Sequence, residues 1–339
     1  MGADLGCVGV QIVDVLGADS LPWLGQSQQR LRDSLLAQRL PHSSLVLSAP
    51  GLGAEWLANW LAALALCDQR LGDPCGICPS CSLLRSDSHP DYHRVRLEED
   101  AKQIKVDQVR DLIASLALKS YRGGYKVGII EGAETLNANG ANAFLKTLEE
   151  PSADTLLVLI ARPTHRLPAT IASRCLRVKL RPPPKETAVA WLRTHGSPDQ
   201  NWDAALALGG GAPLLALELN NSGLNDLESQ MQDNMRALAA GSVDVTLVAE
   251  HWAKSNLGLR LMWLENWITR CVHAYLGEVN SNQSAERVRL PAALLKPKIR
   301  ALFELLDVAR DLRRLAPTGM NQQLALEALL LGGRSALAK

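Results

Sequence analysis

The sequence predicts an α/β domain built on a parallel sheet, followed by a region made only of helices. Three observations carry this prediction. Short apolar runs at Ser44–Ser48, Lys126–Glu131 and Leu156–Ala161 are separated by segments of helical period, three consecutive prolines interrupt the chain at 182–184, and helical periodicity dominates beyond residue 223. Strands alternating with helices imply a parallel sheet covered on both faces, and such strands read as nearly unbroken apolar runs. With 339 residues the chain is long enough for two or three domains of roughly 100–200 residues.

Residues 1–20 show weak periodicity and read as a leader. After Leu21-Pro22-Trp23, a helix is expected between Gln26 and Arg39, because Leu31, Leu35, Leu36 and Leu40 fall at helical spacing. Ser44–Ser48 is a strand punctuated by Ala49-Pro50-Gly51-Leu52-Gly53, and a helix from Ala54 to Cys67 follows. Val106–Leu118 repeats the helical period through Val109, Leu112, Ile113 and Leu116. Lys126–Glu131 is a buried strand, Asn137–Glu149 a helix closed by Pro151, Leu156–Ala161 a second buried strand, and Cys175–Leu180 an alternating one. Pro182, Pro183 and Pro184 can continue neither a helix nor a central strand, so a linker is expected at Arg181–Lys185. Short helices around Gly209-Gly210-Gly211 lead to a second boundary near 222, and the remainder is helical except for a polar loop at Asn280–Glu286. The expected domains are 1–181, 182–222 and 223–339.

Composition excludes several functions. Lys and Arg total 36 against 35 Asp and Glu, so a net charge of +1 gives no field with which to hold a polyanion, and autonomous DNA binding is disfavoured. The longest apolar stretch, Trp56–Cys67, carries Asn59 and falls short of the ~18 residues a membrane span needs. The N-terminal stretch contains Asp4 and Asp14 and lacks the basic start of a secretory signal, so the expected location is cytoplasmic. Seven cysteines without an export signal point to metal or free thiols, not to a disulfide framework.

Spacing selects among the cysteines. Cys67, Cys75, Cys78 and Cys81 form C-x7-C-x2-C-x2-C, with Gly76 and Pro79 suited to a tight knuckle. Four thiolates match tetrahedral Zn2+, and a closed four-sulfur shell leaves no open position for catalysis, so the metal is expected to be structural. Cys7, Cys175 and Cys271 have no second cysteine at ligand spacing.

Ser48-Ala49-Pro50-Gly51-Leu52-Gly53-Ala54-Glu55 sits where a phosphate-binding loop would, between a strand and a helix. Such loops place a Lys on the β/γ-phosphates and a Ser or Thr hydroxyl on Mg2+. Here those places hold Ala54 and Glu55, so the loop at Gly51, Gly53, Ala54 and Glu55 is degenerate and no ATP is expected in this chain. A like-charge pair at ~4 Å in an effective dielectric of ~20 costs about 4 kcal/mol, which sets Glu55 against a triphosphate. After the strand at 126–130 comes Glu131-Gly132-Ala133-Glu134, where a hydrolysing protein carries an acidic pair. Glu131 can stand in for the first acid, but Gly132 cannot replace the second, and Glu134 reads as solvated or helix-capping.

Leu21-Pro22-Trp23-Leu24-Gly25-Gln26, Arg39-Leu40-Pro41-His42, His89-Pro90-Asp91-Tyr92, Val106-Asp107-Gln108-Val109-Arg110, the segment Asn142–Pro151 with Phe144-Leu145-Lys146-Thr147-Leu148-Glu149-Glu150, and Ser173-Arg174-Cys175 occur in the order found in bacterial clamp-loader subunits. The chain resembles that family, of the AAA+ superfamily, from about residue 21 to Asn321-Gln322-Gln323-Leu324-Ala325-Leu326-Glu327. The resemblance implies an AAA+ domain carrying the zinc module, a small helical lid and a C-terminal helical collar that joins a hetero-oligomer. The losses at Ala54, Glu55 and Gly132, with Ala212-Pro213-Leu214-Leu215 near the place of a sensor arginine, imply the non-hydrolysing stator type. In the family, the arginine of the Ser-Arg-Cys box reaches the ATP of a neighbouring subunit, so the resemblance makes Arg174 a catalytic residue in trans. It also implies motor subunits of tau/gamma type, a delta subunit, the sliding clamp and primer-template DNA as partners, within a DNA-directed DNA polymerase holoenzyme. In the basic stretch from Arg287 to Arg314, Leu302, Leu305, Leu306, Ala309, Leu312 and Leu315 are helix-spaced, leaving the charges on the outer face of a collar helix. The competing readings are an ATP-hydrolysing motor subunit, which needs another lysine for the phosphates, and a zinc-dependent DNA-binding protein, which needs salt-dependent affinity for DNA without partners.

Overall fold

The computed structural model describes residues 21–69, 72–98, 101, 103–163, 167–198, 200, 202–277, 299–315 and 321–337. The expected leader at 1–20, the polar loop at 280–286, Cys7 and the first part of the basic stretch lie outside them. The described chain divides into two compact units, one up to Gln200 together with Gly211–Leu215, the other from Ala216 onward with the segment ending at Gly210.

In the first unit five strands form one sheet: β1 (Ser43–Leu47), β2 (Tyr92–Val95), β3 (Lys126–Glu131), β4 (Thr155–Ala161) and β5 (Leu176–Lys179). Their order is β2-β3-β4-β1-β5 and every pair is parallel. Registers such as Leu45 opposite Leu159 and Ile130 opposite Leu159 align the apolar runs of the three central strands. β4 is buried along its whole length, as its unbroken Leu-Leu-Val-Leu-Ile-Ala sequence requires. β5 lies at an edge and is mostly exposed, which fits its alternating Leu-Arg-Val-Lys sequence.

The unit's helices are α1 (Gly25–Leu36), α2 (Ala54–Leu66), α3 (Pro79–Arg85), α4 (Val106–Ala117), α5 (Ala138–Glu149), α6 (Ala169–Ala172) and α7 (Lys185–His195), of which α2 and α4 pack directly on the strands. α2 is buried on all sides except at Glu55. Its one interior amide, Asn59, is satisfied there, accepting a 2.9 Å hydrogen bond from the Tyr92 hydroxyl of β2. α4 and α5 pack Val109, Leu112, Leu116, Phe144 and Leu148 into the core. Gly128 in the middle of β3 is explained by that packing, since a Cβ there would meet Leu116 Cδ1 at 3.0 Å and Leu112 Cδ1 and Leu157 Cδ2 at 3.1 Å. Lys126 begins β3 as a buried cation whose three protons have acceptors: Leu116 O at 2.6 Å, Leu118 O at 2.8 Å and Ser152 Oγ at 2.9 Å.

The second unit is helical: α8 (Trp202–Leu208), the greater part of α9 (Pro213–Asn221), α10 (Leu224–Ala240), α11 (Val245–Lys254), α12 (Leu257–Gly277), α13 (Ile299–Leu315) and α14 (Gln322–Leu337). α14 packs against α11 and α13, and α13 against α12. Of the apolar positions expected on α13, Leu302, Leu305, Leu306, Ala309 and Leu312 are buried, whereas Leu315 in its last turn is 39% exposed. No helix among the described residues is long and apolar enough to cross a membrane.

Candidate functional site

In a parallel sheet the carboxyl ends of all strands share one edge, and open α/β folds place their ligand sites there, where the strand order reverses. β1 is such a place: its chain leaves between β4 and β5 and enters Ser48–Gly53 before α2. Ser48 N donates to Ala161 O at 3.1 Å, and the chain then turns through Gly51 at φ +75° and Gly53 at φ +86°, conformations that favour glycine. Gly53 is the residue before α2, so the scaffold of a phosphate loop is present.

The space over that loop is filled by the chain itself. Leu214 N donates to Gly51 O at 3.2 Å. A Cβ on Gly51 would stand 2.3 Å from Leu215 Cβ and 2.5 Å from Leu215 N, and one on Gly53 would stand 2.5 Å from Leu21 Cδ1. The Trp23 indole N–H donates to Leu52 O at 2.9 Å, and the Trp23 ring meets Trp191 edge-on at 5.3 Å. The Ala212–Leu215 segment, expected near the place of a sensor arginine, thus contributes leucines packed on the loop.

The acidic groups share this edge. Burial pushes the Glu55 carboxyl above the ordinary glutamate value, partly countered by a hydrogen bond to its own backbone, and the charge of Glu131 pushes it further. Glu131, at the end of β3, is raised chiefly by burial and held down by Arg94, whose Nη1 lies 3.8 Å from Oε1. Gly132 has φ +73° and turns the chain into the short 3-10 helix Ala133–Thr135. Of the two expectations for Glu134, solvated or helix-capping, the first does not hold, and the residue lies in the first turn of that helix. Its side chain is 6% exposed, accepts from Arg162 N at 3.3 Å, and lies 3.7 Å from Arg162 Nε. Arg94 beside Glu131 and Arg162 beside Glu134 offset part of the negative charge of this set.

Arg174 stands at the opposite, amino edge of the sheet, just before β5. Its backbone is fixed by Arg174 N donating to Ile171 O at 3.1 Å and by Ser43 Oγ donating to Arg174 O at 2.7 Å. The guanidinium extends to Glu149 Oε1 at 2.5 Å and Thr170 O at 2.9 Å. A strand of β1's length rises ~16 Å from one edge to the other, so Arg174 and the loop of its own chain are far apart.

The four cysteines converge. All four Sγ atoms of Cys67, Cys75, Cys78 and Cys81 lie within 4.8 Å of one another, with Cys67–Cys78 and Cys75–Cys81 separations of 4.0 Å. Cys78 also starts α3: its Sγ accepts from Cys81 N at 3.4 Å, and Pro79 occupies the first helical turn. Hydrogen bonding, chiefly from the Ile77 backbone, pulls the half-buried Cys75 thiol down to about 7, whereas burial pushes Cys78 and Cys81 up. A cation at the centre would supply the charge that offsets this burial, and this set is where the chain can hold a metal ion.

Three acids to which motif spacing assigns no role organise the site. Asp68 accepts from Ser80 N at 3.2 Å and Ser80 Oγ at 2.7 Å, bracing the turn between Cys78 and Cys81, and Arg122 Nη2 reaches it at 3.3 Å. Asp91, buried, accepts from Tyr121 N at 2.7 Å, Arg122 N at 3.0 Å and Ser120 Oγ at 3.0 Å, fixing the loop before β3. Glu149 is the third. Asp91 and Glu149 belong to the His89–Tyr92 and Asn142–Pro151 segments, but their partners lie 25 to 31 positions away and only folding joins them.

A β2-β3-β4-β1-β5 parallel sheet with a glycine loop after β1 and an acid closing β3 defines an AAA+-type domain whose loop its own leucines occupy. A family profile described as DNA polymerase III, delta subunit, matches residues 24–184, and the DNA polymerase III subunit delta′ of Pseudomonas aeruginosa is 34% identical over 93% of this chain and 97% of its own length. The chain belongs to the DNA polymerase III subunit delta′ family. The Haemophilus influenzae subunit delta′ is 40% identical over 60% of this chain and 62% of its own. A crystal structure of a DNA polymerase III gamma-subunit-related protein from Thermotoga maritima covers 91% of this chain and 99% of that one, at 17% identity and a TM-score of 0.44.

Proposed function

We propose that the chain acts as a non-hydrolysing stator in a clamp loader, assembling with tau/gamma-type motor subunits and a delta subunit to help load the sliding clamp on primed DNA. The observation that carries this reading is the loop at Gly51–Gly53, filled by Leu215 and Leu21 where a nucleotide phosphate would otherwise lie. Residues 182–222 serve as the lid and 223–339 as the collar in this scheme. Arg174 acts in trans: it stands at the edge of the sheet away from its own loop, on a fixed backbone, with a half-exposed side chain. The metal is a structural zinc on Cys67, Cys75, Cys78 and Cys81. A zinc tetrahedron with ligands at ~2.3 Å has edges of ~3.8 Å, and the 4.0 Å sulfur separations support that fit.

The test is reconstitution. The isolated chain is expected to give no saturable heat with sub-millimolar Mg-ATP. In the assembled complex, Arg174→Ala should lower turnover about 10³-fold at one ATP site and leave the others working, so that total hydrolysis falls partly while assembly persists. Micromolar ATP binding by the isolated chain, or an unchanged pre-steady-state burst in the Arg174→Ala complex, would overturn the reading.

A further inference from the structure

Arg174 combines a rigid backbone with a guanidinium that is already engaged. Nη2 lies 2.5 Å from Glu149 Oε1, while Nη1 donates to Thr170 O at 2.9 Å and Ser173 Oγ at 3.4 Å. Glu149 ends α5, where the last carbonyls of the helix carry partial negative charge and disfavour a carboxylate. Its charge is therefore offset by a partner outside the helix, and that partner is Arg174. Both side chains remain open to water, at 36% and 51% exposure, and exposed pairs of this kind hold weakly. A carboxylate and a phosphate offer a guanidinium fork the same kind of oxygen acceptors, and the phosphate carries more charge.

We infer that Glu149 is a positioning residue, which holds the Arg174 guanidinium on its own subunit until a phosphate of a neighbouring nucleotide replaces the carboxylate. This inference rests on the trans-acting reading of Arg174. The backbone need not move in the exchange, because Ser43 and Ile171 hold it; rotation about the side-chain bonds is enough. Glu149 then competes with the nucleotide, so removing its charge frees Arg174 for the neighbour.

Two measurements test this. In the full-length chain alone, phenylglyoxal labelling of Arg174, read by peptide mass spectrometry, should rise about two- to fivefold in Glu149→Gln, the range of an exposed ion pair, with the thermal midpoint unchanged. In the reconstituted complex the same variant should lower the ATP concentration for half-maximal turnover by a similar factor, and that shift should vanish when Arg174→Ala is also present. Unchanged labelling, or a shift that persists without Arg174, overturns the role of Glu149. Increased labelling together with an Arg174→Ala complex that turns over normally overturns the trans-acting reading instead, so the two failures are distinguishable.

Discussion

Gly51→Ala probes whether the phosphate loop is sealed by its own chain. The residue has φ +75°, which costs an L side chain roughly 1–2 kcal/mol. The new Cβ would also stand 2.3 Å from Leu215 Cβ, 2.5 Å from Leu215 N and 2.9 Å from Leu215 Cα, and two of those three atoms are backbone. Overpacking of this kind adds about 1–3 kcal/mol, giving about 2–5 kcal/mol in all. Gly132→Ala is the control. Its φ is +73°, yet the nearest atom to its Cβ is Thr135 Oγ1 at 3.8 Å, so only the conformational cost of roughly 1–2 kcal/mol applies. Urea unfolding followed by tryptophan fluorescence measures the difference, with Trp23 reporting on the loop through its hydrogen bond to Leu52 O. Because the chain has two compact units, the transition of the α/β unit is the one compared. Leu215→Gly in the Gly51→Ala background should rescue only part of the loss, since the backbone atoms remain. Equal losses in the two alanine variants would refute the packing of Leu215 on Gly51.

Elemental analysis should find about one zinc per chain. Cys78→Ser combined with Cys81→Ser should abolish it and expose backbone amides around 67–85 to hydrogen exchange while β3 and β4 stay protected. Ala54→Lys with Glu55→Thr restores the missing cation and hydroxyl but leaves Leu214 and Leu215 on the loop, so calorimetry with sub-millimolar Mg-ATP should still show no saturable binding. Glu55 is raised above its ordinary value of 4.5, so its folded form retains a proton that the unfolded chain has released; this contribution to stability is present below pH 4.5 and is lost as pH rises through the folded value. Glu55→Gln should therefore raise the urea midpoint at neutral pH, with the gain disappearing below pH 4.5.

Local pattern made much of this molecule legible. The buried strands β3 and β4 and the helices α2, α4 and α5 follow from apolar period alone, and the four cysteines announce themselves by spacing. β2 escaped because Tyr-His-Arg-Val has no apolar run. Its polar atoms find partners far along the chain, the Tyr92 hydroxyl on Asn59 and the Arg94 guanidinium near Glu131. α3 escaped because seven residues are too few to show a period, and its cap is a cysteine already assigned to metal. The enclosure of Glu134 escaped because Arg162, which lies against it, comes 28 positions later.

The two edges of the sheet carry one argument. At the carboxyl edge, Leu215 packs on Gly51 and Leu214 on Gly53, and Glu55, Glu131 and Glu134 occupy a place where a triphosphate needs cations. In the proposed stator such an edge holds no nucleotide and so has no bound state to switch. At the amino edge, Ser43 of β1 holds the backbone of Arg174, so the position of the guanidinium is referred to the same strand that leads into the loop. A loop that opens and closes around nucleotide would transmit its motion along β1 to that anchor. In the proposed stator a loop sealed by leucines does not, and Arg174 would be presented from a fixed frame. Under the proposed function, losing the nucleotide and keeping the arginine are therefore connected: the chain exchanges its own cycle for a constant geometry at a neighbour's site.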